Sequence, residues 1–546
     1  MRTGRLWAWL GLVATTAFAA WATFAHQFRF FINPDSYYYL MIAKNLVADG
    51  SPVGTLGPAG MPFPPQGYAA MKATFPLLAA VPIALGIDAE ATGHLVASLA
   101  LVVSVPLAFV ATRRLMGSER VALAASALVA TSWGLVYWAG FVMSDSTSVA
   151  LAFALIAAVA RLRRDELMNP GDLVTGAVAA LLLLSRPTYV VALPMLFWLG
   201  WRRFGWSARR LGTAGATAGL LVSAVSVVWF PPAAFGASVL VRLAPLLAGA
   251  AAFAWAAMWL LASGGRGARA LYWICALAVP CAVLIGFGLY WAGAGPSPSG
   301  LANFGARDAA TIALVLLGAW ALRHERRDAG GALLVSAAAL LGVCLWADPR
   351  ESRYLVHLLP LLVPVAAAAV QLRVPRAPSL AAALLVLAVG WQGARVARGS
   401  SAAFLETDYP TQVVAQMGEV VGGGEILVTA LPWPYHFRTG MSVWNAEPST
   451  IARFTRYIPS ESHVLVLADA ALEFHDGPLA AAVAVDRAAA LVSAFEVPAR
   501  YAYGYVGAPS NKPVRVYRMR AKDLRRIAES VEDIPTPDRD AEQQVR

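Results

Sequence analysis

Apolar residues gather in long runs along this chain. The runs fall near 6–25, 92–112, 121–139, 145–160, 172–185, 187–200, 211–230, 239–262, 270–292, 309–322, 332–346, 354–371 and 379–394. A membrane-crossing helix needs about 20 predominantly apolar residues, and the pattern predicts thirteen such spans. Two of the runs, 172–185 and 187–200, are too short to cross alone at about 1.5 Å of rise per residue. They flank Ser185-Arg186-Pro187-Thr188. That arrangement predicts shortened helices whose tips line a cavity, where non-helical backbone is tolerated at membrane depth. A further apolar stretch, 74–86, predicts a half-helix or an interfacial helix.

Basic residues punctuate this pattern. Clusters follow every second run, at 113–114, 161–164, 201–210, 264–269, 323–327 and 373–376, and "MRTGR" opens the chain. All seven fall on one side of the predicted bundle, and the positive-inside rule makes that side cytoplasmic. The first run carries an A-x-A pattern, but it is as long as a full span. A signal peptide has an apolar core of about 7–15 residues, so the run reads as an uncleaved first helix.

Composition agrees with the pattern. The chain of 546 residues is 58% hydrophobic and 14% charged, with mean hydropathy +0.59. A soluble globular protein carries about 25% charged residues. The net charge of +11 resolves into topology clusters rather than a nucleic-acid patch. Lysine occurs only at positions 44, 72, 512 and 522, and the arginine and alanine bias suits a GC-rich bacterial genome. Cys275, Cys281 and Cys344 lie in apolar runs without metal-like spacing, and read as small buried hydrophobes.

After residue 398 the pattern changes. "GGGEILVTAL", "ESHVLVLADA" and "KPVRVYRM" predict strands, and "TQVVAQMGEVV" predicts a helix. Residues 399–520 therefore read as a small α/β domain, which an odd number of spans places outside the cytoplasm. The charged tail 521–546 starts as a possible helix and ends as a disordered segment. "VVGGGE" lacks the spacing and lysine of a phosphate loop. "PYHFRTG" is aromatic and basic, and reads either as a structural loop or as a glycan contact.

The chemistry concentrates in the long segment 26–91 after the first run. It contains "FINPDSYYYLMIAKNL" and then the Pro/Gly-rich "SPVGTLGPAGMPFPPQG". Asn33-Pro34 predicts a helix start, since Asn caps well and Pro at the first position gives up a donor that had no partner. Gly50 predicts its end. Asp35, Tyr38, Tyr39, Ile42 and Leu46 share a face of this helix, with Lys44 on a neighbouring one. The three tyrosines suit a membrane–water interface. By the residues alone, Asp35 reads as a first-turn acid favoured by the helix dipole.

"PDSYYYLMIAKNLVADG" after the first span resembles the first outer loop of the GT-C superfamily of polyprenyl-phosphate-dependent glycosyltransferases. That group includes the protein O-mannosyltransferases, the lipid A aminoarabinose transferase and the oligosaccharyltransferase catalytic subunits. The resemblance extends through 115–164, "LLLLSRPTYVVALP" and "DPRESRYLVHLLPLLVPVAAA", and so covers most of 30–370. It implies a polytopic α-helical membrane protein with thirteen spans in 1–398 and an outer C-terminal domain. One departure is plain: the "WWDYG" signature of oligosaccharyltransferases is missing, and "LPWPYHFRTG" is its nearest counterpart. That argues against en bloc oligosaccharide transfer to asparagine.

The resemblance implies transfer of a sugar from a polyprenyl phosphate to an extracytoplasmic glycan, lipid or protein. An acceptor hydroxyl attacks the anomeric carbon and must lose its proton, for which a carboxylate is a suitable base, typically contributing 10²–10⁴-fold. Asp35 is the implied base. The leaving phosphate needs a cation, and Arg353, where a span begins on the outer side, offers a planar fork with the Tyr354 hydroxyl beside it. Its alternatives are a snorkelling arginine or one paired with Glu351 or Asp348. Arg186 lies between two apolar runs, where an unpaired charge is costly; Lys44 and Arg350 are weaker phosphate candidates. Asp145 begins the fourth span on the same side, and reads as a metal ligand with Asp35, as an acceptor for sugar hydroxyls, or as a helix cap. Tyr38, Tyr39 and Glu351 are further substrate-binding candidates. Mg or Mn is the candidate metal, and no histidine cluster supports zinc. His357 reads as a packed histidine.

The implied setting is the bacterial cytoplasmic membrane, with the site and the C-terminal domain on the outer side, among membrane lipids. Nucleotide sugars, on the opposite side, are excluded as donors. Two other classes share the many spans. A transporter or flippase of lipid-linked sugars would show repeat-like halves, and none is found. A polysaccharide polymerase or ligase would rely on large later outer loops, which here are short before residue 398.

Overall fold

The computed structural model describes residues 2–25, 34–50, 72–161, 170–229, 256–262, 265–292, 299–323, 326–347, 352–371, 380–401, 409–417, 425–430, 432, 435, 441–455, 458–499 and 510–532. The chain forms two compact units. One comprises residues 1–27, 70–82 and 90–403, the other residues 28–69, 83–89 and 404–546.

The first unit is helical. Its elements are α1 (Arg2–Ala25), then, past α2 (Pro34–Asp49) of the other unit, α3 (Thr74–Ala84), α4 (Ala89–Met116), α5 (Glu119–Ala130), α6 (Trp133–Ala139), α7 (Ser144–Val159), α8 (Pro170–Ser185), α9 (Leu193–Phe204), α10 (Ala208–Trp229), α11 (Arg266–Trp291), α12 (Ser299–Leu322) and α13 (Arg327–Ala347). A broken span follows: α14 (Ser352–Leu355), a 3-10 turn at Val356–Leu358, α15 (Leu359–Ala367) and a second 3-10 turn at Ala368–Gln371. α16 (Leu380–Ser401) completes the unit.

Six described helices are long and apolar enough to cross a membrane, or seven if α5 and α6, bent by 51°, form one broken span. The predicted runs 172–185 and 187–200 become α8, a 3-10 turn at Pro187–Val191 and α9, so the break at Arg186 falls where the sequence put it. Much of the run 239–262 lies outside the described residues.

Small residues let these helices touch. A Cβ on Gly318 of α12 would collide with the Val365 carbonyl oxygen of α15, and one on Gly176 of α8 would stand 2.5 Å from the Ala214 carbonyl oxygen of α10. Between helices in lipid, such close backbone approach replaces the hydrophobic drive that water supplies elsewhere. Large apolar residues point outward, among them Leu284 and Ile285 of α11 and Val386 and Leu387 of α16. Cys281, read as a small buried hydrophobe, is exposed on α11 among them, whereas Cys275 and Cys344 are buried. An exposed thiol on a bilayer-facing flank is still in apolar surroundings.

The second unit contains α2 and a mixed sheet. α2 begins at Pro34 and ends before Gly50, whose φ of 66° carries no Cβ penalty; Asn33 lies outside the described residues. Tyr37, Tyr38 and Tyr39 are buried, as are residues 36–43 throughout.

The sheet order is β2-β1-β3-β5-β4. Its strands are β1 (Ile426–Thr429), β2 (Val443–Asn445), β3 (His463–Ala468), β4 (Ala490–Ala499) and β5 (Ser510–Arg520). β1 pairs parallel with β2 and β3, and β5 pairs antiparallel with β3 and β4. The helices are α17 (Tyr409–Met417), α18 (Pro448–Phe454), α19 (Ala470–Val485) and α20 (Ala521–Glu532). Strand alternation divides the core. Val428, Val464, Val466 and Met519 pack on one face with α20, and Leu427, Leu465, Val514 and Val516 on the other with α17.

Residues 521–532, the possible helix at the start of the charged tail, form α20. Leu524, Ile527, Ala528 and Val531 recur at helical spacing and belong to the sheet's core. The charges that give the segment its tail-like composition occupy the opposite side of α20.

Candidate active site

Three breaks in helical geometry converge in the helical unit. α7 begins at Ser144 after an extended Met143. α8 ends at Ser185, and Arg186 is extended (φ −149°, ψ 95°) before a 3-10 turn that starts with proline. The span after residue 351 switches to 3-10 geometry at Val356–Leu358. Each break carries one charged or titratable side chain inward.

The centre is Asp145. Its Oδ1 accepts a hydrogen bond from Arg186 Nη2 and lies 3.1 Å from His357 Nε2. All three side chains are buried. A carboxylate only accepts, so Nε2 carries a proton toward it. On the other side of the ring, His357 Nδ1 lies 3.1 Å from Ser148 Oγ, a hydroxyl that also reaches the Asp145 carbonyl at 2.8 Å. Tyr189 donates its hydroxyl to the His357 carbonyl at 2.8 Å and packs its ring edge-on to the imidazole. A buried charge this deep in an apolar bundle is tolerated because it is paired and hydrogen-bonded.

More cations lie at the accessible edge of this core. The Arg186 guanidinium stands over the Tyr354 ring at 5.4 Å, and that of Arg353 at 5.2 Å. Arg353 Nη2 donates to the Tyr354 hydroxyl at 3.3 Å. Arg353 and Tyr354 are half-buried, so this edge of the cluster remains accessible. Lys72 is buried just before α3 and lies within electrostatic range of His357. Thr74, two positions on, donates to the Leu181 carbonyl of α8 at 2.7 Å and fixes that end of α3 in the bundle.

The cluster has a common level. Asp145 stands at the start of α7, a helix length from Val159, and Arg186 just past the end of α8, a helix length from Pro170. At about 1.5 Å per residue, both are roughly 21–24 Å along their helices from the ends that carry arginine clusters.

Of the residues predicted from sequence, Asp145, Arg186, Arg353 and Tyr354 come together. The Asp145 carboxylate is held by a guanidinium and an imidazole rather than capping its helix, where no side-chain cap bond forms. Asp35 is the second residue of α2, in the other unit, and its side chain lies outside the described set. Tyr38, Tyr39 and Lys44 belong to that same helix, and Lys44 is exposed. Glu351, Asp348 and Arg350 lie outside the described residues. The sequence reading missed the engagement of His357 and did not single out Lys72, Ser148 or Tyr189. Only the i, i+4 spacing of Arg353 and His357 hinted at the first.

Among the described residues, no group of three or more His, Cys, Asp or Glu side chains stands close enough to hold a metal ion. Of the two Asp145 oxygens, Oδ1 already faces a guanidinium and an imidazole N–H.

No protein-family model matches the chain, and no curated protein matches it by sequence. Solved structures do match by shape. ArnT from Cupriavidus metallidurans bound to undecaprenyl phosphate aligns with TM-score 0.53 and 12% identity, over 93% of this chain and 98% of that one. The apo form of the same protein gives TM-score 0.54 and 12% identity, over 96% and 99%. The Archaeoglobus fulgidus oligosaccharyltransferase complex with Zn and sulfate gives 0.53 and 14%, over 87% of this chain and 69% of that one. At such identities the likeness speaks to fold: the chain has the fold shared by these GT-C proteins over nearly its whole length.

Proposed function

We propose that this chain is an integral membrane glycosyltransferase that moves a sugar from a polyprenyl-phosphate donor to an acceptor on the extracytoplasmic side. The observation that carries the reading is the end-to-end match in fold to a structure solved with undecaprenyl phosphate. The sequence of the first outer segment and the cation-rich edge at Arg353 support it independently.

In this reading the acceptor hydroxyl attacks the anomeric carbon while Asp35 takes its proton. The bond between that carbon and the phosphate oxygen breaks, and the polyprenyl phosphate leaves with both bonding electrons. One carboxylate suffices for inversion, because a phosphate leaves without protonation when its charge is matched. Arg353 supplies that charge: its guanidinium is half-buried, oriented by the Tyr354 hydroxyl, and suited to two phosphate oxygens at once. Arg186 shares the Tyr354 ring but is committed to Asp145, so its part is to hold the Arg353–His357 segment in place. Lys72 adds positive potential near His357. No step is routed through a metal ion.

The topology that goes with this mechanism has thirteen crossings in residues 1–398, with the arginine clusters in the cytoplasm. The helices too short to pass as spans alone, such as Ser144–Val159 and Pro170–Ser185, then cross as parts of the bundle whose tips meet at the site. The C-terminal α/β domain is extracytoplasmic.

The test is a panel of polyprenyl-phospho-sugars offered to the purified protein in proteoliposomes. Release of polyprenyl phosphate, dependent on one donor and on an added acceptor, is the expected result. Movement of intact donor across the bilayer without release would establish a transporter instead, and extension of a lipid-linked chain by repeat units a polymerase.

A further inference from the structure

A second polar cluster sits in the helical unit beside the first. α12 leaves helical geometry at Asp308 (φ −119°, ψ 26°). The Asp308 carboxylate is buried and accepts a hydrogen bond from Ser132 Oγ at 2.5 Å. Ser132 also caps α6, accepting from the Leu135 amide at 3.2 Å. Gly134 permits this approach: a Cβ there would overlap Asp308 Oδ2 and meet Val356 Cγ1 at 3.4 Å. Val356 precedes His357, so one stretch of chain supplies a side chain to each cluster.

Two arginines surround Asp308. The Arg307 guanidinium lies 4.0 Å from the centroid of the Tyr137 ring and 5.7 Å from that of Trp138. Arg395 of α16 donates to the Ala306 carbonyl, just before the break, and lies 5.0 Å from the Trp391 ring. Both guanidinium groups are within electrostatic range of Asp308 and of each other. Both are half-buried. Most of a helix separates Arg307 from Leu322 at the end of α12, and Arg395 from Leu380 at the start of α16. At about 1.5 Å per residue, each arginine stands roughly 22 Å from an end that carries an arginine cluster, level with the Asp145 site.

The surroundings identify a ligand. Two guanidinium groups facing one carboxylate leave one positive charge in excess in a low-dielectric setting. A guanidinium over an aromatic face presents N–H groups at its edge, where a planar or tetrahedral oxyanion can meet them, and Arg307 also hydrogen-bonds the Tyr137 side chain. Trp391, Val386 and Leu387 are exposed on α16 with Arg395, so the cluster opens on an apolar, bilayer-facing flank. Arginine and tryptophan together at that level suit the headgroup region of a membrane. We propose that Arg307 and Arg395, spaced by Asp308, form a binding site for the phosphate group of an anionic phospholipid, separate from the Asp145 site.

Native mass spectrometry of the full-length protein tests this. The protein is equilibrated with phosphatidylglycerol or with phosphatidylcholine and then moved into detergent. The wild type is expected to retain phosphatidylglycerol and release phosphatidylcholine. R307Q/R395Q is expected to retain at least about tenfold less phosphatidylglycerol, on the scale of one lost charge-assisted contact. R395K keeps the charge, is expected to melt like wild type and to retain an intermediate amount, which separates binding from misfolding. Retention of phosphatidylglycerol against millimolar inorganic phosphate supports the lipid assignment; its displacement would reduce the site to one for free phosphate and overturn that assignment. Undiminished phosphatidylglycerol retention in a folded R307Q/R395Q protein, or equal retention of phosphatidylcholine by the wild type, would overturn the proposal altogether. None of these outcomes depends on transferase activity, so the proposal stands or falls apart from that reading.

Discussion

Asp35, the proposed base, and Asp145, the centre of the buried cluster, call for opposite experiments. If Asp35 is the base, Asp35→Asn keeps size and hydrogen bonding but takes no proton. Turnover should then fall at least about 10²-fold with thermal stability near wild type, since Asn starts a helix nearly as well. Full turnover by purified Asp35→Asn would end the proposed mechanism. Asp145 is structural first. Its pair with Arg186 is buried among apolar helices, and removing one partner leaves a guanidinium without its counter-charge. Asp145→Asn should cost about 3–5 kcal/mol in detergent unfolding, while the double change with Arg186→Met should recover much of it. Equal stability in the single variant and the wild type would show that the pair contributes nothing. Sequence reasoning found Asp145 and Arg186 as odd charges in apolar runs, but their pairing spans 41 positions and no spacing rule reaches so far.

Among elements, the contact of α12 with α15 is the tightest constraint. At Gly318 an added methyl carbon would run into the Val365 carbonyl oxygen, a backbone atom that has no rotamer to escape into. Gly318→Ala should force the helices apart and cost about 1–3 kcal/mol or more, as overpacking does, read as a lower melting temperature. Gly342→Ala on α13, where a Cβ meets nothing within 4 Å, is the control and should melt like wild type. In the C-terminal domain, ion pairs tie α20 to its neighbours. Lys522 bonds Glu461 at 2.5 Å and lowers its pKa from the ordinary 4.5. The Ala488 amide and Arg526 lower that of Asp486 from 3.8. Depressed folded pKa values mean that their stabilisation is full above these ordinary values and is lost as pH falls through the lower folded ones. Both carboxylates are near the surface, so the loss should be small and weaker still at high salt. The protection of α20 amides, measured against their intrinsic exchange rate at each pH, should therefore fall on acidification below pH 4.5 at low salt; protection that is flat with pH would remove these pairs from the account.

For the whole molecule, the pattern of arginine clusters makes an orientation testable without knowing the reaction. The proposed thirteen crossings would place residue 1 in the cytoplasm and residue 400 outside it. A reporter fused after residue 400 should therefore be active only on the outer side, and cytoplasmic activity would invert the proposed site with it. The sequence by itself determined the apolar runs, the break at Arg186, the start and end of α2, and the change from helices to strands after 398. These are local matters: run length, a proline, a glycine at positive φ and strand alternation each act within a few residues. Residues 521–532 read as the possible helix that starts a charged tail, and only the sheet shows that their apolar stripe belongs to its core. Tertiary structure alone decided that His357 meets Asp145, that Lys72 lies in its field, and that Ser132, Asp308 and Arg395 gather beside them. Those contacts join helices far apart in the chain, and a bilayer-buried charge is satisfied by whichever helix the packing brings to its level.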